Sequence, residues 1–128
     1  MSLGERTEAL KAVLETYPGA EAVPVPMPHG RPPPALMYKV KAKIFAILNI
    51  KGAEAVLLKC DPEWSDLLRE QYAGIGHRSH LDPRHWIDVK LDADVPPDEV
   101  ERLVAKSYER VCAGLTKKQK AELAALAG

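Results

Sequence analysis

Positive charge without acidic neighbours marks one long stretch of the chain. Residues 22–53 contain no Asp or Glu, but they contain Arg31, Lys39, Lys41, Lys43 and Lys51. Lysines at 39, 41 and 43 share a parity, so a continuous strand would project all three from one face, whereas a turn at 41–42 would gather them at a hairpin tip. Either geometry clusters the charge and predicts a phosphate-binding surface. The alternative is an exposed strand edge that lysines protect from aggregation.

A second group of chemically capable residues consists of histidines and an aspartate: His77, His80, Asp82 and His85. Imidazole and carboxylate groups are metal ligands, and a hairpin would bring His80 and His85 close to one another. Their spacing fits no established zinc motif, and histidines in loops more often serve as surface or hydrogen-bonded structural residues. We therefore expect no metal site.

Motifs typical of catalysis are missing from the sequence. It contains no GxSxG elbow, no P-loop and no GxGxxG fingerprint. The thiol of Cys60 precedes Asp61, whose carboxylate opposes thiolate formation, so a thiol packed at a strand end is the favoured interpretation. Carboxylates are spread along helix faces, with no pattern that pairs two of them as acid and base. We expect a binding protein without enzymatic activity and without a cofactor.

Length and composition indicate one domain over residues 1–128. A chain of 128 residues can bury a core without disulfides or metals. Its 18 Lys and Arg balance 18 Asp and Glu, so any binding to nucleic acid must come from local clustering. Cys60 and Cys112 lie far apart without metal-finger spacing, which predicts two buried reduced thiols. The longest uninterrupted apolar run is Ile44–Leu48, so we expect a soluble cytoplasmic protein that does not contact a membrane.

The first half of the chain predicts a helix followed by a sheet. Ser2 and Glu5 have the form of a capping box, and an amphipathic helix follows until Pro18-Gly19 stops it. The proline-rich segment VPVPMP at 23–28 is at best an edge strand, because proline cannot donate to a sheet ladder. Residues 35–59 are apolar and β-compatible, and Gly52 divides them into the strands of an antiparallel meander.

The second half alternates helices with a hairpin. Asp61-Pro62 predicts the start of a helix with apolar positions at Trp64, Leu67, Leu68 and Tyr72. Residues 86–92 alternate polar and apolar, the period of a strand with one buried face. Pro96-Pro97 opens a long helix whose predicted buried stripe is Val100, Leu103, Val104, Ser107, Val111 and Cys112. Thr116 to Gln119 caps a short terminal helix.

The order of these elements is one helix, three or four strands, a helix, two strands, a long helix and a short C-terminal helix. Such an order predicts an α+β two-layer sandwich, in which an antiparallel sheet of about five to six strands packs on helices.

Short motifs in this order resemble those of a known family over about residues 17–115. The first hairpin and its entry are matched by Pro18-Gly19-Ala20-Glu21, Tyr38-Lys39-Val40 and Lys43-Ile44-Phe45-Ala46. The passage from the central strand to a helix is matched by Leu58-Lys59, Asp61-Pro62-Glu63, Leu68-Arg69-Glu70 and Tyr72-Ala73-Gly74-Ile75. The second hairpin and the last long helix are matched by His80, His85-Trp86, Val89, Leu91-Asp92, Ser107-Tyr108 and Val111. The ordered set is identified as that of the MmcQ/YjbR family.

This resemblance implies a small domain similar to the frataxin/CyaY and secretion-chaperone sandwiches. Members of the family commonly carry a DNA-binding name, partly because their paired hairpins resemble two wings. Relatives usually have glycine in the first hairpin turn, where this chain has Lys41-Ala42. They often have a proline and an aromatic residue where it has Gly76-His77-Arg78-Ser79. The first departure makes the turn type and the strand register open questions for the structure.

Three functions are expected, in order of preference. The first is weak nucleic-acid binding, with DNA as the expected partner, through these hairpin residues: Arg31, Lys39, Lys41, Lys43, Arg78 and Arg84. The second is homodimerisation or capture of a protein partner along the proline-bordered sheet edge. The third is a small-ligand pocket where residues of the family's motif converge: Lys59, Arg69, His80, His85 and Trp86. For this pocket the alternative is a structural network, with Arg69 paired to Asp61 or Glu63 and Trp86 as a core anchor.

Overall fold

The structure is a computed structural model that describes residues 3–77 and 81–127. Within these ranges the chain forms four α-helices and six strands. In chain order they are α1 (Glu5–Leu14), β1 (Ala20–Pro24), β2 (Ala35–Val40), β3 (Lys43–Asn49), β4 (Ala55–Lys59), α2 (Pro62–Gln71), β5 (Ile75–Gly76), β6 (Trp86–Lys90), α3 (Pro97–Ala113) and α4 (Lys117–Ala127). The predicted α+β class and element order are confirmed, with four strands before α2.

All six strands belong to one antiparallel sheet with the order β1-β2-β3-β4-β6-β5. The proline-rich segment contributes β1, which is an edge strand as predicted and ends at Pro24. Edge placement suits this strand because Pro24 has no N–H to donate to a second neighbour. No helix in the described ranges combines the length and the apolar character needed to cross a bilayer.

The core lies between the sheet and α3. Tyr38 and Phe45 are fully buried, and the rings of Phe45 and Tyr108 meet edge to face at 5.2 Å between centroids. The predicted stripe of α3 is buried at Val100, Leu103, Val104, Ser107 and Val111, whereas Cys112 is only partly buried. Five of the six stripe positions are therefore confirmed by the packing of α3 on the sheet.

One buried hydroxyl ties α3 to the two central strands. Ser107 Oγ donates to the carbonyl of Phe45 on β3 at 2.6 Å and accepts the backbone N–H of Lys59 on β4 at 2.9 Å. Both backbone groups lie in the interior, where an unpaired polar group is costly. The serine in an otherwise apolar stripe thus bridges a carbonyl of β3 and an N–H of β4.

The β2–β3 turn resolves the question raised by its missing glycine. Lys41 and Ala42 have φ angles of 49° and 67°, so both central residues of the two-residue loop occupy the left-handed region. A turn of this kind matches the twist of a hairpin but normally selects Asn or Gly. The hairpin therefore closes with a two-residue turn at 41–42, although both turn residues have a Cβ and adopt a conformation that favours glycine.

Two helices depart from their predicted details. Ser2 lies outside the described residues, and α1 is capped instead by Glu54, which accepts from the N–H and hydroxyl of Thr7 at 2.9 and 3.0 Å. On α2, Leu68 is buried, but Trp64 and Leu67 are 58 % and 53 % exposed. The apolar pattern of α2 therefore does not mark a single buried face, because only one side of this helix rests on the sheet.

Candidate functional site

The hairpin lysines do not share one face of the sheet. Tyr38 and Val40 point into the core, so Lys39 between them projects from the opposite face. Lys43 pairs with Val40 in the ladder and projects on the helix side, where its Nζ donates to the carbonyl of Gly114 at 3.1 Å. The Nζ of Lys41 meets the carboxylate of Glu122 at 3.1 Å. The hairpin tip is thus docked on α4 and on the segment before it.

The helix on which the hairpin docks begins with a second group of lysines. Lys117, Lys118 and Lys120 are exposed in the first turn of α4, which contains no acidic residue. Together with Lys41 and Lys43 they form what we call the hairpin–α4 lysine cluster. Residues 116–119 were predicted only as a helix cap, which the hydrogen bonds between Thr116 and Gln119 confirm. The tetrapeptide KKQK was the signal that would have revealed the extra charge.

The remaining basic candidates lie apart from this cluster. Arg31 is exposed in the connection between β1 and β2, which leaves the sheet at the end opposite the 41–42 turn. Arg84 is exposed just before β6, at the same end as the turn but two strands away from β3. Arg78 lies outside the described residues.

The pocket candidates form hydrogen-bonded contacts of a structural kind. The Arg69 guanidinium donates to the carbonyls of Gly76 at 3.2 Å, Trp86 at 2.9 Å and Pro83, and lies 3.4 Å from the carboxylate of Asp66. Its partner is therefore not Asp61 or Glu63. The three carbonyl contacts tie α2 to β5, to β6 and to the loop before β6, whereas Asp66 lies on α2 itself. The expected structural network is present, with a carboxylate other than the two predicted.

His85 and Trp86 have partners of their own. The Nδ1 of His85 lies 2.6 Å from the carboxylate of Asp82, and this contact, followed by the Arg84 N–H, lowers the pKa of Asp82. The Nζ of Lys59 lies 5.8 Å from the centroid of the Trp86 ring, within the range of a cation–π contact. His80 lies outside the described residues. Over residues 3–77 and 81–127 no three metal-ligating side chains come together.

The cysteines are less buried than expected. Both are free thiols and partly buried. Desolvation raises the pKa of the Cys60 thiol, and the neighbouring Asp61 raises it further, against smaller effects of Arg110 and Arg69. A thiol with a raised pKa is a poor nucleophile at neutral pH.

A groove of about 360 Å³ opens between α2 and α3, beside the end of β4. Its apolar lining comes from Leu68, Ile87 and Leu103, and its basic lining from Lys59, Arg102, Lys106 and Arg110. Trp64, Cys60 and Asp61 complete the lining, whereas Arg69, His85 and Trp86 do not belong to it. Arg102, Lys106 and Arg110 are spaced four residues apart, so they lie along one face of α3. This spacing in the sequence could have predicted a basic helix face.

Comparisons with known proteins agree with this architecture. The family model of YjbR matches residues 15–110. The uncharacterized protein YjbR of Escherichia coli K12 is 35 % identical over 77 residues, which cover 59 % of this chain and 65 % of that protein. The uncharacterized protein YbdF of Escherichia coli O157:H7 is 29 % identical over 83 residues, 64 % of this chain and 68 % of that protein. The match thus spans about two thirds of the length of each relative.

Solved structures show the same fold. Deinococcus radiodurans protein DR2400, which has a DUF419 domain, superposes with a TM-score of 0.77 at 29 % identity, over 91 % of this chain and 86 % of that one. A protein from Pseudomonas syringae superposes with a TM-score of 0.65 at 21 % identity, over 84 % of this chain and 98 % of that one. The family model covers most of the chain and reproduces the span of the motifs found in its sequence. The chain belongs to the YjbR family.

Proposed function

We propose that the protein binds nucleic acid, without sequence specificity, through the hairpin–α4 lysine cluster. The observation that carries the proposal is the docking of the hairpin, through Lys41 and Lys43, on α4 and the segment before it, because the first turn of α4 supplies three further lysines. The three α4 lysines and Lys43 are exposed to solvent, as contacts with phosphate require. Specific base contacts have no support, since Tyr38 and Phe45 are buried.

The position of the α4 lysines strengthens this proposal. The N-terminal end of a helix carries partial positive charge, so cations in the first turn are unfavourable and anions are favourable. Lys117, Lys118 and Lys120 occupy this end without an acidic residue among them in the first turn. A bound phosphate would relieve the repulsion among these charges and would also interact favourably with the helix dipole.

Fluorescence anisotropy of labelled single- and double-stranded DNA at low salt tests the proposal. The variant K117E/K118E changes two exposed side chains and is expected to abolish binding. Its matched control is K51E/K90E, which makes the same charge change at two exposed positions outside the cluster. Lys41 and Lys43 are poor targets, because their contacts with Glu122 and Gly114 also hold the hairpin. Equal loss of binding in both variants, or no binding by the wild-type protein, would refute the proposal.

A second candidate is self-association along the sheet edge. The observation in its favour is that, among the described residues, β1 pairs with β2 on one side and lies at the sheet edge on the other, with Glu21 and Ala22 exposed. Pro24 limits the number of N–H groups that this edge can offer to another strand. Sedimentation velocity over a range of protein concentrations tests this candidate, and a monomer at all concentrations would exclude it.

A further inference from the structure

The groove between α2 and α3 has the features of a small-ligand site. Its volume of about 360 Å³ lies within the range of pockets that hold small molecules. Its floor is apolar and well packed, since Leu68, Ile87 and Leu103 are 6 %, 1 % and 7 % exposed. An apolar floor beneath charged walls favours a ligand with one apolar face and one charged group.

The charges around the groove favour an anion. Arg110 is held by Asp61, with 2.9 Å between Nη1 and Oδ2, and Arg102 is held by Glu99 through two hydrogen bonds. These contacts fix both guanidinium groups in place and leave further N–H donors on each of them. Lys106, between the two arginines on the same ridge, is 66 % exposed and lies 3.9 Å from Glu109. Its ammonium group is therefore accessible to an anionic ligand that enters the groove from solvent.

Trp64 supplies the aromatic surface that such a ligand needs. It lines the groove and is 58 % exposed, which is unusual for the largest apolar side chain. An exposed indole beside cations is the combination with which proteins bind a flat ring joined to a phosphate. The apolar positions of α2 at 64 and 68 thus have different tasks: Leu68 packs in the interior, and Trp64 remains available to a ligand.

We propose that the α2–α3 groove binds a phosphorylated ring compound of mononucleotide size, with the ring against Trp64 and the phosphate against Lys106 and Arg110. The proposal does not depend on the hairpin–α4 lysine cluster. The ring and phosphate belong either to a free nucleotide or to one residue of a single-stranded nucleic acid. Only in the second case do neighbouring nucleotides accompany them.

Nuclear magnetic resonance of the ¹⁵N-labelled protein tests the proposal. The chain has two tryptophans, so it gives two indole N–H signals, which W64F assigns. Titration with AMP is expected to move the signal of Trp64 and to leave that of Trp86 in place. Adenosine has the ring without the phosphate, and inorganic phosphate lacks the ring. Each is expected to bind at least about 10-fold more weakly than AMP.

Two variants and two controls connect the signal to the groove. W64A and K106A, both at exposed side chains, are expected to weaken AMP binding about 10-fold each. L67A alters the other exposed apolar residue of α2, and K90A removes an exposed lysine of β6, and both are expected to bind AMP as the wild type does. An unchanged Trp64 signal in the presence of AMP would overturn the proposal, and so would equal weakening in L67A.

The source of the ligand is distinguished with a short single-stranded oligoadenylate. Tighter binding of the strand than of AMP, lost in W64A, would identify a residue of a nucleic acid strand as the ligand. AMP binding equal to or tighter than strand binding would identify a free nucleotide. The K117E/K118E variant is expected to bind AMP normally, so failure of the lysine cluster and failure of the groove give different results.

Discussion

At the scale of single residues, several side chains hold separate parts of the fold together through hydrogen bonds to backbone groups. Arg69, Ser107, Glu54 and Asp94 each satisfy backbone groups of another element. The sequence indicated Ser107 as part of a buried stripe and Arg69 as part of a network. Their partners could not be predicted, because Ser107 and Phe45 are separated by 62 positions and no local pattern encodes that contact.

Replacement of Ser107 by alanine tests the bridge between α3 and the two central strands. The change leaves the Phe45 carbonyl and the Lys59 N–H without their shared partner in the interior, so we expect a loss of about 1–3 kcal/mol in the free energy of unfolding. Urea denaturation followed by circular dichroism gives this value. S65A is the matched control, because the Ser65 hydroxyl donates to the nearby carbonyl of Pro62 within its own helix. A larger loss in S65A than in S107A would contradict the bridging role.

The carboxylate of Asp94 predicts a pH dependence of stability. It accepts the N–H groups of Gly74 at 2.7 Å and Ala73 at 2.8 Å, and the bond from Gly74 has the largest part in lowering its pKa. Because the pKa is lower in the folded state, the contribution is present above the usual Asp value of about 3.9 and is lost as pH falls through the folded pKa. D94N should show a flatter decline of Tm between about pH 5 and pH 2 than the wild type. Parallel curves for the two proteins would exclude this role.

At the scale of elements, periodicity predicted the long helix and the hairpins, but it did not predict which apolar residues of α2 are buried. The stripe of α3 was correct at five positions, because one helix face packs on the sheet over its length. The apolar residues of α2 had the same helical spacing, yet Trp64 and Leu67 are exposed. Spacing alone does not separate an apolar residue that packs in a core from one that borders a groove.

The β2–β3 turn offers a stabilising substitution. Ala42 adopts a φ of 67°, a region that costs a residue with a Cβ roughly 1–2 kcal/mol relative to glycine. A42G should therefore raise the free energy of unfolding by up to about 1 kcal/mol, since the added freedom of the unfolded chain cancels part of the gain. A53G, in the exposed β3–β4 connection and without a positive φ, should be neutral or destabilising. Chemical denaturation compares the two, and destabilisation by A42G would contradict the turn geometry.

At the scale of the whole molecule, the fold of a chain with zero formal net charge gathers basic residues from distant parts of the sequence at one end of the sheet. The end of the sandwich that carries the 41–42 turn also carries Arg84, the lysines of α4 and the C-terminal half of α3. Composition did not reveal this arrangement, because the contact between Lys41 and Glu122 joins residues 81 positions apart. The sequence indicated the hairpin half of the lysine cluster, and only the fold added the α4 half.

The salt dependence of DNA binding tests the central claim most directly. Each phosphate contact contributes about 0.9 to the slope of log K against log salt concentration for duplex DNA. The account predicts a negative slope for the wild type. The magnitude of this slope should be smaller by about 2 in K117A/K118A and should be unchanged in K51A/K90A. An unchanged slope in K117A/K118A, or binding that is independent of salt, would contradict the claim that these lysines neutralise phosphates.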